Sequence, residues 1–341
     1  MSAGAAPRPS GSPWQWLYGS AHRWRRRWFR DRRSRLPRPV ISVGNLHWGG
    51  SGKTPLTAAL AARLVADGYR VAILSRGYGR RDRQVRVVST GEGPLLGPGL
   101  AGDEPVLLAG EVPGAAVVVA PDRALAGRHA MERLDPPPDV FLLDDGFSHL
   151  RLARDLDLLV LPVEDPLGGG RLWPGGRLRE PLAATAHADA IVLMGGSTEA
   201  AAELAALLRE HGFRGPGFGC DRAFGPPRRV TGEPLEPGVR VFLVSAVARP
   251  GVFEAAVRKL DVEIRGALVF PDHHAYPEAS LRQIAAAVEG SSAETVLTTA
   301  KDRVKLLGRL DLPLAELPLR AAPGPGFWEW LGDTLAELAP R

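Results

Sequence analysis

Cysteine is almost absent from this sequence, with Cys220 the single example among 341 residues. One thiol can form neither an intrachain disulfide nor a cysteine-based zinc cage, so we expect a reducing compartment. Long hydrophobic runs are also absent. The longest, such as Leu156 to Val163, fall far short of the roughly 18 to 20 apolar residues that a membrane-spanning helix needs. Runs of this length are typical of buried strands.

The N-terminus lacks a short basic stretch followed by an apolar core, which is the pattern of a secretory signal. We therefore expect a cytoplasmic location. Hydrophobic residues make up 45% of the chain and charged residues 24%. This balance excludes both wholesale disorder and a multi-span membrane protein. A chain of this length can form one large domain or two smaller ones, each with its own core.

The net charge of +5 is modest, but the positive residues are unevenly placed. Sixteen consecutive positions contain nine arginines: Arg23, Arg25, Arg26, Arg27, Arg30, Arg32, Arg33, Arg35 and Arg38. Apolar residues recur at steps of three and four just before and within this segment: Trp14, Leu17, Ala21, Trp24 and Trp28. This spacing predicts an amphipathic helix with a basic face, ended by Pro37 and Pro39. Residues 1–12 are rich in Gly, Ala, Pro and Ser and are predicted to be disordered.

Beyond this helix, short β-branched or leucine-rich runs alternate with helical segments, which predicts a mostly parallel sheet flanked by helices. The predicted strands are 40–44, 70–75, 115–120, 140–144, 156–161 and 190–194, then 240–245, 264–270 and 295–299. A proline-rich bridge separates the two sets. We therefore expect residues 1–39 to form the disordered start and basic helix, 40–225 a larger α/β domain and 226–341 a smaller C-terminal α/β lobe.

The first predicted strand is joined to a predicted helix by a glycine-rich turn. Its residues are His47, Trp48, Gly49, Gly50, Ser51, Gly52, Lys53 and Thr54. In this context the turn is typical of a P-loop: backbone N–H groups hold nucleotide phosphates, Lys53 reaches the outer ones, and Thr54 offers a hydroxyl to Mg²⁺. One position departs from the general pattern, because His47 stands where glycine is usual. The alternative, a turn without a ligand, leaves Lys53 and Thr54 unexplained.

A pair of carboxylates, Asp144 and Asp145, ends the apolar strand that begins at Val140. In P-loop proteins a carboxylate at such a strand end holds Mg²⁺. Strands also end in ordinary Asp-Gly turns, but beside a P-loop the metal site is the favoured interpretation. The pattern does not decide which of the two carboxylates contacts the metal.

Two further polar segments could serve a phosphoryl acceptor: Gly102 to Pro105, which contains Asp103, and Phe270 to His274. A histidine supported by a carboxylate can accept the proton of a hydroxyl group near neutral pH. Both segments could equally be polar turns, and the histidine pair could bind a metal weakly. The spacing alone favours none of these interpretations.

Together these segments resemble the tetraacyldisaccharide 4'-kinases, the lipid A 4'-kinases of Gram-negative outer-membrane biogenesis. The similarity covers most of residues 40–305 in the family's order. Its motifs are Ser42–Asn45 with Gly49–Pro55, Leu74–Arg80, Gly102–Pro105, Asp122–Arg123, Leu143–Phe147 with His149–Leu150, Leu152–Leu156, Leu178–Pro181, Phe270–His274, and Thr298–Thr299 with Lys301–Asp302. Such a series is far more specific than a P-loop by itself.

The resemblance implies transfer of the γ-phosphate of ATP to the 4'-hydroxyl of an acylated glucosamine disaccharide 1-phosphate, giving the 1,4'-bisphosphorylated lipid A precursor. It implies ATP and Mg²⁺ as cofactors and a P-loop NTPase-type fold. By the matching motifs, Lys53 grips the phosphates and is catalytic, Thr54, Asp144 and Asp145 organise the metal, and Asp103 and His273 form the acid–base pair. Other positions match the family's site and are expected to contact substrate: Asn45, Tyr78, Arg123, His149, Arg179 and Glu180. Five positions depart from the family: Ser148, Gly169, Arg177, Arg249 and Ala300.

A tetraacylated substrate stays in the bilayer, which suggests that the N-terminal helix attaches the enzyme to the inner face of the cytoplasmic membrane through its tryptophans and arginines. The alternative is a helix packed on the enzyme's own core with solvated arginines. Two other functions stay open: a membrane-associated P-loop NTPase switch without a small acceptor, and a nucleic-acid-binding ATPase. The switch leaves Asp103 and His273 unexplained, and no nucleic-acid module is recognisable. We predict neither a nucleic-acid partner nor an obligate protein partner.

Overall fold

The computed structural model describes residues 13–338, with side chains from residue 17 onward. The strands in this range are β1 (Val40–Gly44), β2 (Val71–Ser75), β3 (Arg86–Ser89), β4 (Ala116–Val119), β5 (Val140–Asp144), β6 (Leu156–Pro162), β7 (Ala190–Met194), β8 (Gly217–Phe224), β9 (Arg228–Arg229), β10 (Val239–Ser245), β11 (Val262–Val269), β12 (Thr295–Thr299), β13 (Leu314–Leu317) and β14 (Leu319–Pro323). The α-helices are α1 (Pro13–Arg30), α2 (Lys53–Ala66), α3 (Pro98–Ala101), α4 (Asp103–Glu111), α5 (Arg123–Arg133), α6 (Thr198–Leu208), α7 (Pro250–Val257), α8 (Glu278–Glu289), α9 (Ala300–Leu306) and α10 (Pro325–Leu338). The predicted disordered segment, residues 1–12, lies outside the described residues.

The larger sheet has nine strands in the order β14-β8-β7-β6-β1-β5-β2-β4-β3. Its strands run parallel except at the two edges, where β3 pairs antiparallel with β4 and β14 with β8. Every residue of β1, β2, β5, β6 and β7 is buried. This is the pattern of a sheet covered by helices on both faces, which explains the continuous apolar runs in the sequence. The predicted α/β fold is confirmed.

The centre of the larger sheet brings two predicted motifs together. Strands β1 and β5 are parallel neighbours, with Val43 in register with Asp144. The carboxyl ends of parallel strands meet at one edge of a sheet, and ligands bind there in open α/β folds. The P-loop, which follows β1, therefore lies beside the acidic end of β5.

The smaller sheet has the order β11-β10-β12-β13-β9, and only β9 is antiparallel to its neighbour. After β13 the chain returns to the larger sheet. Strand β14 becomes its edge, and α10 buries Phe327 and Leu331 in the same core as Leu60 of α2. The predicted smaller lobe, 226–341, therefore extends too far: its C-terminal segment from Leu319 onward completes the larger domain, because β14 finds its pairing partner in β8.

Helix α1 lies on the larger domain with one face inward and the other exposed. Its polar face is turned inward, and Tyr18, His22 and Arg26 contact the protein. Its apolar stripe is exposed to solvent, with 57%, 64% and 47% of the surface accessible at Leu17, Trp24 and Trp28. The side chain of Trp14 lies outside the described residues. Neither α1 nor any other described helix combines the length and apolarity required to cross a bilayer.

Candidate active site

A large cleft opens at the carboxyl edge of the larger sheet, with a volume of ≈1460 Å³. The larger domain contributes the P-loop, the end of β5 and the start of α5 to its walls. The smaller sheet contributes the loops after β10 and β11 and the start of α9. Both parts of the protein therefore face the same space.

The P-loop has open space around two of its glycines. A Cβ atom built at Gly49 or Gly50 would meet no atom within 4 Å. Gly49 and Gly52 have φ values of 100° and 90°, a region that favours glycine. Helix α2 follows directly, and Gly52 has no side chain to cap it. Its first N–H groups are therefore left for an external anion such as a phosphate.

Basic side chains surround Asp145 at the end of β5. Lys53 Nζ lies 3.7 Å from Asp145 Oδ1, and the Arg179 guanidinium pairs with both carboxylate oxygens. Burial by itself raises the pKa of Asp145, but Lys53, Arg179 and Arg123 outweigh it and hold that pKa well below its usual range. Asp145 also has a φ of 54°, in the left-handed region. Strained backbone of this kind concentrates at functional sites.

The neighbouring carboxyl, Asp144, has a different environment. It is buried and accepts one long hydrogen bond, 3.3 Å, from Thr57 Oγ1. Burial, with the negative charges of Glu104 and Asp145, raises the pKa of Asp144 to about 7. A bound cation would relieve this repulsion, so the pair fits a Mg²⁺ site. Within residues 13–338 no group of three or more His, Cys, Asp or Glu side chains forms a metal cage. Mg²⁺ commonly uses one or two carboxylates and takes its other ligands from water and phosphate.

Asp103 and His273 come from different parts of the protein and lie next to each other. Asp103 begins α4, whereas His273 lies in the loop after β11, and His273 Nδ1 is 3.8 Å from Asp103 Oδ2. His274 points elsewhere: its ring stacks on Phe270, and its Nε2 lies 2.8 Å from Ser280 Oγ. The structure thus pairs Asp103 with His273 and gives His274 a packing position.

Two lysines of α9, which sequence reasoning did not select as site residues, complete this cluster. The buried Lys305 places Nζ 3.4 Å from Asp103 Oδ2, and Lys301 places Nζ 3.2 Å from His273 Nε2. Burial raises the pKa of Asp103, but the nearby His273 ring and the two ammonium charges outweigh it and lower that pKa below its ordinary value. Lys301 and Lys305 are four residues apart, and residues with this spacing share one face when the segment is helical, as α9 is.

Comparisons with known proteins identify the family of the chain. The model of the tetraacyldisaccharide-1-P 4'-kinase family matches residues 9–336. The chain belongs to this family. A tetraacyldisaccharide 4'-kinase from an Anaeromyxobacter species is 45% identical over 275 residues, which cover 79% of this chain and 73% of the relative. Another, from Geobacter sulfurreducens, is 43% identical over 280 residues, covering 81% and 76%.

The family's fold is matched by a solved structure. The crystal structure of LpxK from Aquifex aeolicus in complex with ATP has a TM-score of 0.74 to this chain at 33% identity, and the match covers 96% of this chain and 97% of LpxK. The chain is therefore a P-loop kinase of the tetraacyldisaccharide 4'-kinase family. ATP is the nucleotide that the LpxK complex contains.

Other family positions fall into two groups. Some line the cleft: Arg123, Tyr78 and His149. Burial, with the charge of Arg123, lowers the pKa of His149 to about 4, and its Nε2 lies 3.5 Å from Asp122 Oδ1. Tyr78 is exposed and meets the His273 ring edge-on at 5.5 Å between centroids. These side chains line the same cleft as the P-loop.

Three of the predicted positions, Asn45, His47 and Glu180, are buried. Asn45 donates to Ser51 Oγ at 2.7 Å, and its carbonyl oxygen accepts from Arg179 at 3.2 Å. The His47 ring is buried, which lowers its pKa to about 4, and its backbone pairs with Leu178, whereas the side chain of Trp48 is exposed. His47 is predicted to bind the nucleotide; it is buried but borders the cleft, so its role stays a prediction. Glu180 was expected to contact the acceptor, but its carboxylate is buried beneath α1 instead.

The departures from the family pattern lie around the cleft rather than in the phosphate-binding loop. Ser148 donates to Glu180 at 2.5 Å, and Arg249 contacts Glu164 at 3.0 Å. Arg177 lies 3.8 Å from Asp165. Gly169 has a φ of 65° with open space around it, and Ala300 is buried at the start of α9. The substituted positions thus leave the P-loop and the ends of β5 unchanged.

Proposed function

We propose that this chain transfers the γ-phosphate of ATP to the 4'-hydroxyl of an acylated glucosamine disaccharide 1-phosphate. One observation supports this most: the P-loop with Lys53 and the ring of His273 line one cleft, and His273 Nδ1 lies 3.8 Å from the Asp103 carboxylate. The cleft of ≈1460 Å³ has room for both a nucleotide and a sugar acceptor. An NTPase switch without an acceptor has no use for such a pair.

Positioning and charge neutralisation dominate the proposed mechanism, as in other phosphoryl transfers. The P-loop N–H groups and Lys53 hold the phosphates, and the nearby guanidinium groups of Arg123 and Arg179 stabilise negative charge on the transferring group. Asp103, kept ionised by its neighbours, accepts the proton of the attacking hydroxyl. His273 donates Nδ1–H towards Asp103, orients it and shares the proton.

Mg²⁺ is part of the proposal. Asp144, Asp145 and Thr54 lie around the same part of the cleft and would hold it together with the phosphates. When bound, the ion neutralises phosphate charge. The raised pKa of Asp144 and its sparse hydrogen bonding support this assignment.

Attachment to the inner face of the cytoplasmic membrane is also proposed. The exposed stripe of α1 combines tryptophan with surrounding arginines, the composition of helices that lie in the interface of anionic bilayers. A lipid acceptor requires such proximity. The interior contacts of α1 use its polar face, which leaves the apolar stripe for the bilayer.

Labelled nucleotide tests the reaction directly. We would incubate the purified protein with γ-labelled ATP, Mg²⁺ and the acylated disaccharide 1-phosphate in mixed micelles. Label in the lipid, at the 4'-position, is the expected result. Release of labelled phosphate at one rate with and without the disaccharide would instead support an NTPase switch and refute the kinase proposal.

A further inference from the structure

Helix α1 contacts the two segments that carry Arg179 and Asp145. The Tyr18 hydroxyl donates to the carbonyl oxygen of Arg179 at 3.0 Å. Arg25 Nη2 donates to the carbonyl oxygen of Ser148, three residues after Asp145, at 3.1 Å. The helix that presents tryptophans to the outside therefore contacts, on its inner face, the backbone beside two side chains of the phosphate-binding site.

A buried ionic cluster lies at the centre of this contact. The Glu180 carboxylate accepts hydrogen bonds from Arg26 Nη2 at 2.6 Å and from Ser148 Oγ at 2.5 Å, and His22 Nε2 lies 3.1 Å away. The Arg26 guanidinium also lies over the Phe147 ring, 4.7 Å from its centroid. Glu180 is 2% exposed and Arg26 is 6% exposed. Arg26 of α1 thus contacts both the segment that carries Arg179 and Glu180 and the segment that carries Asp145 and Phe147.

Stability alone gives no reason for this arrangement. Two charges lose their hydration when they are buried, so a buried ion pair contributes little compared with packed apolar side chains. Arg26 Nε and Nη1 are buried without a hydrogen-bond partner in the described part of the chain, which adds to that cost. A directional pair does fix the register of one element on another. The register fixed here is that of α1 on Glu180 and Phe147.

The orientation of Arg179 depends on that register. Arg179 precedes Glu180 directly, and its own carbonyl oxygen accepts the hydrogen bond from Tyr18. Its guanidinium pairs with Asp145 and donates to the carbonyl oxygen of Asn45. Asp145 in turn lies 3.7 Å from Lys53. The chain of contacts therefore runs from α1 through Arg179 to the lysine of the P-loop.

We infer that Arg26 is a positioning residue for phosphoryl transfer, which acts through Glu180 and the Phe147–Ser148 backbone to hold Arg179 and Asp145 in place. Helix α1 thereby serves turnover as well as membrane attachment. The inference rests on the proposed function. It predicts that loss of the Arg26 contact slows the reaction even when the acceptor is fully accessible.

The test compares Arg26→Met with Arg26→Lys in mixed micelles that contain γ-labelled ATP and the acylated disaccharide 1-phosphate. Methionine keeps the apolar stem and removes the charge, so kcat should fall on the order of tenfold to a hundredfold, since small misplacements at a site have effects of this size. The KM for the acceptor should stay close to that of the wild type. Lysine restores a charge without the planar fork and should recover part of kcat.

Arg258→Met is the matched control, because Arg258 pairs with Glu254 on the surface of α7. It should leave kcat unchanged. An Arg26→Met protein with wild-type kcat and a raised KM would overturn the inference, because α1 would then only capture substrate. Equal losses of kcat in Arg26→Met and in the control Arg258→Met would overturn it too. If Arg26→Met does not fold, Arg26→Met with Glu180→Gln leaves no unpaired charge and should show the same loss of kcat.

Hydrogen exchange separates this inference from the proposed reaction. Amides of residues 145–148 and 177–180 should exchange faster in Arg26→Met, with protection elsewhere unchanged. The positioning role would be overturned if exchange became faster throughout the chain, or if it stayed unchanged in these two segments. If the wild type transfers no label to the disaccharide, the proposed function fails, and the exchange result still decides whether Arg26 holds these segments.

Discussion

At the scale of single residues, basic side chains set the charge of the carboxylates on both sides of the cleft. Lys53 and Arg179 lower the pKa of Asp145 despite its burial. The neighbouring Asp144 has no ion pair of this kind with any described residue, and burial raises its pKa to about 7. Opposite them, Lys305 favours the ionised form of Asp103. Two adjacent aspartates with pKa values shifted in opposite directions can take different roles, one paired with cations of the protein and one available to a bound metal.

Substitution of Lys305 should change the pH dependence of the reaction. Lys305→Met removes a positive charge 3.4 Å from Asp103, so the pKa of Asp103 should rise. A base with a higher pKa is protonated at a higher pH, so the acidic limb of the kcat/KM profile should shift to higher pH. Rates measured across the acidic range would check this. An unchanged limb, with Lys259→Met as the control, would show that Asp103 is not the base.

Removal of the P-loop lysine should abolish most turnover without unfolding the protein. Lys53→Ala deletes a side chain that lines the cleft and pairs with Asp145 and that belongs to no core cluster of the described residues, so the fold should be kept. Loss of one donor to developing charge lowers kcat by about 10² to 10³-fold. Transfer of label to the lipid measures kcat, and circular dichroism measures the fold. Wild-type turnover in this variant would contradict the role of Lys53.

At the scale of elements, α1 has two faces with opposite uses. Its inner face is polar and forms the Arg26–Glu180 cluster, and its outer face is apolar and exposed. The helical period of the sequence correctly predicted one apolar stripe. It did not show that the stripe faces away from the protein, because an amphipathic pattern looks the same whether its partner is a core or a bilayer.

The outer face should determine binding to membranes. Trp24→Ala with Trp28→Ala removes two large exposed side chains, and burial of one such group contributes roughly 1.5 to 3 kcal/mol. Binding to anionic vesicles should therefore weaken by at least about tenfold, since 1.4 kcal/mol corresponds to a factor of ten. Co-sedimentation would measure this, with Tyr69→Ala as a control on an exposed aromatic residue elsewhere. Undiminished binding would place the membrane contact on another surface.

At the scale of the whole molecule, the chain crosses from the larger sheet to the smaller one and returns. Helix α4 joins the two parts at both ends: Glu104 contacts Lys301 at 3.4 Å, and Glu111 contacts Arg228 at 3.0 Å. Because Asp103 begins this helix, the distance between Asp103 and His273 depends on how the smaller sheet sits against α4. The cleft is thus assembled by both parts.

The returning helix α10 should be necessary for the stability of the larger domain. Phe327 is fully buried, and its ring contacts Phe218 of β8 and Trp330. Phe327→Ala should lower the free energy of unfolding by about 3 to 5 kcal/mol, because it leaves a cavity in the core. Urea unfolding would measure the change, with exposed Leu307→Ala as a control. A loss below about 1 kcal/mol would mean that α10 is dispensable.

Sequence alone determined the features that depend on near neighbours. The strand, glycine turn and helix around Lys53 follow from local periodicity and backbone preferences. So does the acidic end of β5, and the order of motifs identified the family. These patterns can be read locally because, within one helix or strand, hydrogen bonds and buried side chains recur at a fixed spacing along the chain.

Only the tertiary structure decided which distant residues meet. It paired Asp103 with His273 rather than His274, placed Lys305 against that pair and turned Glu180 away from the cleft. It also returned β14 to the larger sheet. The physical reason is that contacts between residues far apart in sequence are selected by packing and charge between completed elements, and no local pattern contains that information.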